Sequence, residues 1–287
     1  MAVSSFSSPR PPLHAAGLSK SYRTSRRSRV DALADFTLRC EPAAHVGLLG
    51  PNGAGKTTAI QLLLGLEAPD RGGVELFGLP PTDRRARARI GYLPEESALF
   101  GFLDADETLH LAGRLHGMDR PARRRRVEEL ISRLGLAGAR RRRVATYSRG
   151  MARRLAFARA VVHAPQLLVL DEPTAGLDPE GGALVFALME ECRSAGTAVL
   201  FSTHLLREAE ARCSELVILV GGRIAAAGLL DELLGPVDPV LGIRGLEPAA
   251  RDELVAWVNR QGGRVETEAS RRRSLERLFL SLAGEPS

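Results

Sequence analysis

The run Gly50-Pro51-Asn52-Gly53-Ala54-Gly55-Lys56-Thr57 fits the spacing G-x-x-x-x-G-K-[ST] at every fixed position. Its glycines let the backbone curl tightly and turn successive N–H groups inward, forming a nest for phosphate oxygens. A lysine at the position of Lys56 reaches the terminal phosphates as a point charge, and a hydroxyl at Thr57 holds Mg²⁺. Gly50 through Thr58 are therefore read as the phosphate-contacting stretch of a nucleoside triphosphate site.

A second cluster of chemistry is Leu167-Leu168-Val169-Leu170-Asp171-Glu172, four apolar residues ending in two carboxylates. The aliphatic run fits a strand buried on both faces of a parallel sheet. Asp171 at its tip is expected beside the phosphate loop as a Mg²⁺ ligand through water, and Glu172 as the general base polarising the attacking water. Read alone, the segment is also compatible with an acidic turn after a core strand. A third candidate is Tyr147-Ser148-Arg149-Gly150-Met151. There Ser148 is a natural N-cap and opens a second helix N-terminus suited to a phosphate. Nothing local decides between a nucleotide held by this chain and one held by a partner.

These groups need a scaffold. His45–Leu49 reads as a short buried strand and Thr58–Leu64 as a helix ended by Gly65, which puts the phosphates at a helix N-terminus. Residues 13–92 look β-rich: Phe36, Leu38 and Cys40 alternate with Thr37 and Arg39, and Arg71-Gly72-Gly73 reads as a turn before Val74–Phe77. From about 104 to 164 the pattern turns helical, with Leu109, Leu111, Leu115 and then Val127, Leu130, Ile131 and Leu134. Strands are expected at Leu167–Leu170, Thr197–Phe201 and Leu216–Val220, with a helix over Gly182–Arg193 as a right-handed crossover. Past the pair Gly235-Pro236 a short module reads strand, helix, strand, helix: Val240–Ile243, Ala249–Asn259, Arg264–Thr267 and Ser274–Leu282.

Composition excludes several classes. Hydrophobic residues make up 44% of the chain, enough for a sizeable core, and no apolar stretch approaches the roughly 18 residues of a membrane span. Residues 1–12 are Ser/Pro-rich, lack a signal-peptide core and are expected to be a disordered tail. Cys40, Cys192 and Cys213 are widely spaced and odd in number, pointing to a reduced, cytosolic protein. The net charge is +6, and apart from Lys20 and Lys56 every one of the 40 basic side chains is an arginine. The runs Arg123–Arg126, Arg140–Arg143 and Arg271–Arg273 read as solvated helix faces, since Glu128 and Glu129 follow closely and no aromatic residues interleave them. A nucleic-acid or anionic-lipid patch is the competing reading.

Phosphate loop, Ser-x-Gly helix start, Asp171-Glu172-Pro173-Thr174, Ala175-Gly176-Leu177-Asp178 and Ser202-Thr203-His204 follow one another in fixed order. Over roughly residues 13–230 this order and spacing resemble the ATP-binding subunit of ATP-binding cassette (ABC) transporters. The resemblance implies an α/β fold: a P-loop NTPase core with an antiparallel β subdomain, an inserted α-helical subdomain (about 98–164) and a small C-terminal α/β module. The nucleotide-binding domain would span 13–235 and the module 236–287. It implies ATP and Mg²⁺ as ligands, Tyr22 as the aromatic stacking on adenine, and His204 as the switch residue that contacts the γ-phosphate. It further implies that Ser148, Arg149, Gly150 and Met151 face the ATP of the opposite subunit, and that Asp178 links the two sites of a head-to-tail dimer.

Three positions depart from the family pattern. Arg149 and Met151 stand where glycine and glutamine are usual, and Glu95, after Tyr92-Leu93-Pro94, stands where glutamine is usual. Glu95 retains the capacity to bind water or Mg²⁺ and is assigned a coupling role. Leu275–Leu280 resembles the ending of ATPases paired with separate export-type membrane subunits, and also fits a plain amphipathic helix. The function implied is ATP hydrolysis that drives a separate transmembrane permease, from the cytoplasmic face of the membrane. The alternative is a soluble ATPase of the same type acting on ribosomes or nucleic acid.

Overall fold

The computed structural model describes residues 10–23, 29–234 and 247–262, with the single positions 275, 278, 279 and 282 beyond them. In chain order the first elements are β1 (Leu13–Arg23), β2 (Arg29–Cys40), β3 (His45–Leu49), α1 (Lys56–Leu63) and β4 (Arg71–Leu76). Next come α2 (Arg84–Arg87), β5 (Ile90–Leu93), α3 (Ala105–Leu115), α4 (Arg120–Arg133) and α5 (Arg149–Val161). Then follow β6 (Leu167–Asp171), α6 (Pro179–Ser194), β7 (Ala198–Thr203), α7 (Leu206–Arg212), β8 (Glu215–Val220) and β9 (Arg223–Leu229). Two further helices, α8 (Leu230–Leu234) and α9 (Pro248–Arg260), complete the described chain.

Strands β2-β1-β4 form a three-stranded antiparallel sheet. Its buried face is the alternating set anticipated from sequence: Phe36, Leu38 and Cys40, opposite Leu13, Ala15 and Leu18. The expected turn Arg71-Gly72-Gly73 is instead the first half of β4, and Phe77 falls beyond its end. Gly72, at φ +85°, brings its backbone against Ala16 and Gly17 of β1, where a Cβ would lie 2.5 Å from backbone atoms. Only glycine keeps the strand paired through that close approach. Arg10–Pro12, assigned to a tail, lie along this sheet: the Pro12 carbonyl accepts from the Phe77 N–H and Arg10 donates to the Gly78 carbonyl.

The second sheet has the order β5-β6-β7-β3-β8-β9, with β5, β6, β7, β3 and β8 mutually parallel. β3, β6 and β7 are buried at every residue, which accounts for the apolar runs Val46–Leu49, Leu167–Leu170 and Ala198–Phe201 within them. β8 returns into β9 through Gly221-Gly222, both at positive φ as a two-residue hairpin turn requires. Helix α1 packs between the two sheets, so Ala59, Ile60, Leu62 and Leu63 join one core with Phe36, Val46, Leu48, Val169 and Leu200. Each fully buried aliphatic in that core contributes about 1.5–3 kcal/mol of transfer free energy.

Helices α3, α4 and α5 form a separate helical layer. Leu109, Val127, Leu130, Ile131 and Leu134 are buried as the periodicity indicates, but Leu111 and Leu115 are exposed. The inward stripe of α3 is Ala105, Leu109 and Ala112, which follows true i, i+4, i+7 spacing. An Asp104/Glu107 capping box starts the helix. Arg126, Arg133 and Arg140 pair with Glu129, Glu191, Asp106 and Glu128, so these arginines are engaged by the chain's own carboxylates.

The chain divides into two compact units, Met1–Gly228 and Leu229–Ser287. In the second unit α9 contains the helix expected at Ala249–Asn259. The expected strands Val240–Ile243 and Arg264–Thr267 and most of the helix Ser274–Leu282 lie outside the described residues, as does Arg271–Arg273. Among the described residues no helix is long and apolar enough to cross a membrane.

Candidate nucleotide site

Parallel pairing brings the chemistry together. Leu49 at the end of β3 is in register with Thr203 of β7, and Asp171 at the end of β6 is in register with Ser202. Whatever follows these strand ends therefore meets at one edge of the sheet, the place where open α/β sheets bind ligands. The phosphate loop leaves β3 there and enters α1, which begins at Lys56, two residues earlier than expected. Gly55 sits at φ +100° with the Ala32 carbonyl 2.4 Å from where a Cβ would lie. Any side chain at that point would push the loop off the sheet.

A cavity of about 410 Å³ opens over this edge, lined by Asn52 through Thr58, Glu95, Asp171, Glu172 and His204. Lys56 is buried and donates to the carbonyls of Gly50 (2.7 Å) and Pro51 (3.3 Å). Its ammonium is 3.6 Å from Glu172 Oε1. Glu172 Oε2 in turn lies 2.9 Å from His204 Nδ1, so one buried carboxylate bridges the loop lysine and the half-exposed histidine. Asp171 accepts from Thr57 Oγ1 (2.9 Å) and from Ser202 Oγ (2.5 Å).

Glu172 has a left-handed backbone, φ +49°, a conformation costing a non-glycine residue about 1–2 kcal/mol. It is held there by its N–H donating to Ser202 Oγ at 2.9 Å. Backbone strain of this kind aims a side chain where an ordinary strand ending would not. Tyr92 adjoins the site from β5, and burial followed by the Asp171 charge pushes its phenol up to about 12.

The remaining candidates are elsewhere on the chain. Tyr22 donates its hydroxyl to Glu67, and burial with that bond raises its pKa. Ser148 caps α5, its Oγ accepting from the Met151 N–H at 3.2 Å. Neither Tyr22 nor any of Ser148, Arg149, Gly150 and Met151 lines the phosphate-loop cavity. Asp178 caps α6 by accepting from the Gly181 N–H and lines an adjoining cavity of about 550 Å³ that shares Glu172, Ala175 and His204 with the first. Helix α5 leans on that same loop, with Gly176 packed against the Arg149 side chain.

Comparison with known proteins decides the family. Residues 33–175 match the ABC transporter family model. An ABC transporter ATP-binding protein of Bacillus subtilis, YxlF, is 41% identical over 75% of this chain and 70% of its own length. The chain belongs to the ABC transporter family. The Nod factor export ATP-binding protein I of Paraburkholderia xenovorans is 40% identical over 76% of this chain and 74% of the relative. A solved ATP-binding subunit of an ABC transporter superposes with a TM-score of 0.75 at 29% identity, over 95% of this chain and 99% of the other. The cassette MJ0796, solved as a dimer with ADP and Pi, shares the fold with a TM-score of 0.70 at 23% identity, over 76% of this chain and 99% of the other. Like other cassettes of the ABC family, this one is an ATPase.

Three side chains of the cassette carry geometry that motif reading passed over. Ser202 bridges the Asp171 carboxylate and the Glu172 N–H; it was visible only as part of Ser202-Thr203-His204. Glu208 accepts from Thr174 (2.9 Å) and from Thr203 (3.1 Å), tying the Thr174–Asp178 loop to the residue before His204. The third is Arg153, buried on α5 among backbone carbonyls. Its position within an arginine-rich segment gave no signal, because a solvated and a buried arginine look alike in sequence.

Proposed function

We propose that this chain is the ATP-hydrolysing subunit of an ABC exporter, working as a head-to-tail dimer on a separate membrane permease. The observation that carries the reading is the Lys56–Glu172–His204 chain of contacts beside Asp171 and Thr57, over one cavity at the strand ends. Gly50 through Thr58 receive the ATP phosphates, Lys56 reaches the terminal ones, and Tyr22 stacks on adenine. Glu172 takes the proton of the attacking water and His204 contacts the γ-phosphate. Ser148, Arg149, Gly150 and Met151 face the partner's ATP, and Glu95 and Asp178 couple the sites to motion.

Thr57 Oγ1, Asp171 and Glu95 offer the hard oxygen set that suits Mg²⁺. Among the described residues no group of three or more His, Cys, Asp or Glu is placed to hold a metal ion. Thr57, Asp171 and Glu95 would hold Mg²⁺, which would supply neutralisation of the phosphate charge. The export assignment rests on the similarity to Nod factor export ATP-binding proteins, and a place on the cytoplasmic membrane face follows from that partnership.

Glu172→Gln tests the base. ATP binding is expected to persist while turnover drops by about 10²–10⁴-fold, and light scattering with ATP should report a dimer. Undiminished hydrolysis would remove the assignment of Glu172. The same variant, purified in detergent with ATP, should bring down a multi-spanning membrane protein. Ribosomes or nucleic acid in its place would favour the soluble reading.

A further inference from the structure

Arg153 is 4% exposed, and its guanidinium is spent on the backbone carbonyls of other segments and on the Ser97 hydroxyl. Nη1 donates to the carbonyls of Pro94 (2.5 Å) and Glu95 (2.7 Å) and to Ser97 Oγ (3.0 Å). Nη2 donates to the carbonyls of Asp171 and Glu172 (2.6 Å), and Nε to that of Pro173 (3.3 Å). It forms no direct ion pair among the described residues; the charges of Asp171, Glu95 and Glu172 act on it from further away. Burying a cation among neutral acceptors is costly, and packing alone would be served by an uncharged side chain.

The partners fall into two segments. Pro94–Ser97 follows β5 and carries Glu95; Asp171–Pro173 runs off the end of β6 and carries the two acidic candidates. The clamp that joins them sits on α5, the helix opened by Ser148. One planar, five-donor fork thus fixes three site-bearing elements against one another, a geometry lysine cannot reproduce.

We propose that Arg153 is a positioning residue for ATP hydrolysis. By holding the Glu172 carbonyl it keeps the left-handed turn that aims the carboxylate, and it makes that aim depend on where the Glu95 loop and α5 stand. ATP affinity remains the business of the phosphate loop. This inference rests on the reading of Glu172 as the base.

The test measures kcat, ATP Kd by a fluorescent ATP analogue, and Tm for the full chain and its variants. Arg153→Gln should lower kcat about tenfold or more with Kd changed less than about threefold, the loss of charge-assisted bonds being felt at the base rather than at the phosphates. Arg153→Lys should recover part of the rate. Ser97→Ala, at the outer end of the clamp, should lower kcat about twofold with Kd and Tm unchanged. Arg154 donates instead to the Leu134 carbonyl in the helical layer, so Arg154→Gln should lower Tm and leave the kcat of the folded protein alone.

A normal kcat in Arg153→Gln, or a parallel loss of kcat and affinity, overturns the proposal. Should Arg153→Gln not fold, Arg153→Lys and Ser97→Ala decide it, and unchanged kcat in both overturns it. Glu172→Gln runs in parallel: if it hydrolyses ATP normally, the base reading fails by itself. If it is inactive while the Arg153 variants are normal, only the inference about Arg153 fails.

Discussion

Lys56 and Glu172 sit 3.6 Å apart with both side chains buried, so each is held partly by the other. Removing the lysine leaves a carboxylate short of a counter-charge and a loop short of its terminal cation. Lys56→Ala is therefore expected to weaken ATP binding about ten- to hundredfold, as measured by calorimetry in the Glu172→Gln background. Ser148 makes a different contribution: its hydroxyl caps α5 and lines no part of the chain's own phosphate cavity. Ser148→Ala should cost about 1 kcal/mol of stability, leave monomer ATP binding intact, and depress turnover in the assembled dimer. Intrinsic binding and steady-state hydrolysis, measured side by side, separate the two effects.

Elements place these residues through close approach. β5 and α5 touch at Gly91, where an added Cβ would lie 2.2 Å from the Ala160 carbonyl oxygen. Gly91→Ala should destabilise the protein by about 1–3 kcal/mol, seen as a Tm several degrees lower, and slow turnover by shifting the Glu95 loop that follows β5. Much of this scaffold was legible in the chain. The aliphatic runs at Leu167–Leu170 and Leu216–Val220 announce buried parallel strands because both faces must be apolar. The phosphate loop, the acidic strand end and His204 were legible too, since their residue types are restricted by what they contact. Arg153 and Ser202 were not, because their partners are backbone carbonyls and N–H groups that any sequence supplies. Strand β4 was misjudged at its start because Arg71-Gly72-Gly73 spells a turn locally, and only the neighbouring β1 backbone makes it a strand. Leu115 misled in the opposite sense: a leucine in helical register was counted inward, although it is exposed.

At the scale of the molecule, proton linkage follows from burial. His45 and His163 are both pushed down to about 4 chiefly by burial, while in the unfolded chain each titrates near 6.5. Below pH 6.5 the unfolded chain binds more protons than the native one, so stability is full above that value and falls as pH drops toward 4. Urea denaturation at pH 7 and pH 5 should show a loss of a few kcal/mol, and His45→Asn should remove about half of it, leaving the share of His163. The order of the six-stranded sheet has a further effect, on how the protein is born. β3 ends at residue 49, yet its two neighbours, β7 and β8, begin at residues 198 and 215. At common translation rates a growing chain carries its five-residue apolar strand without partners for on the order of ten seconds. Through that interval the phosphate loop has neither of the strands that flank β3, so the floor of the nucleotide site is finished only when most of the cassette has been made.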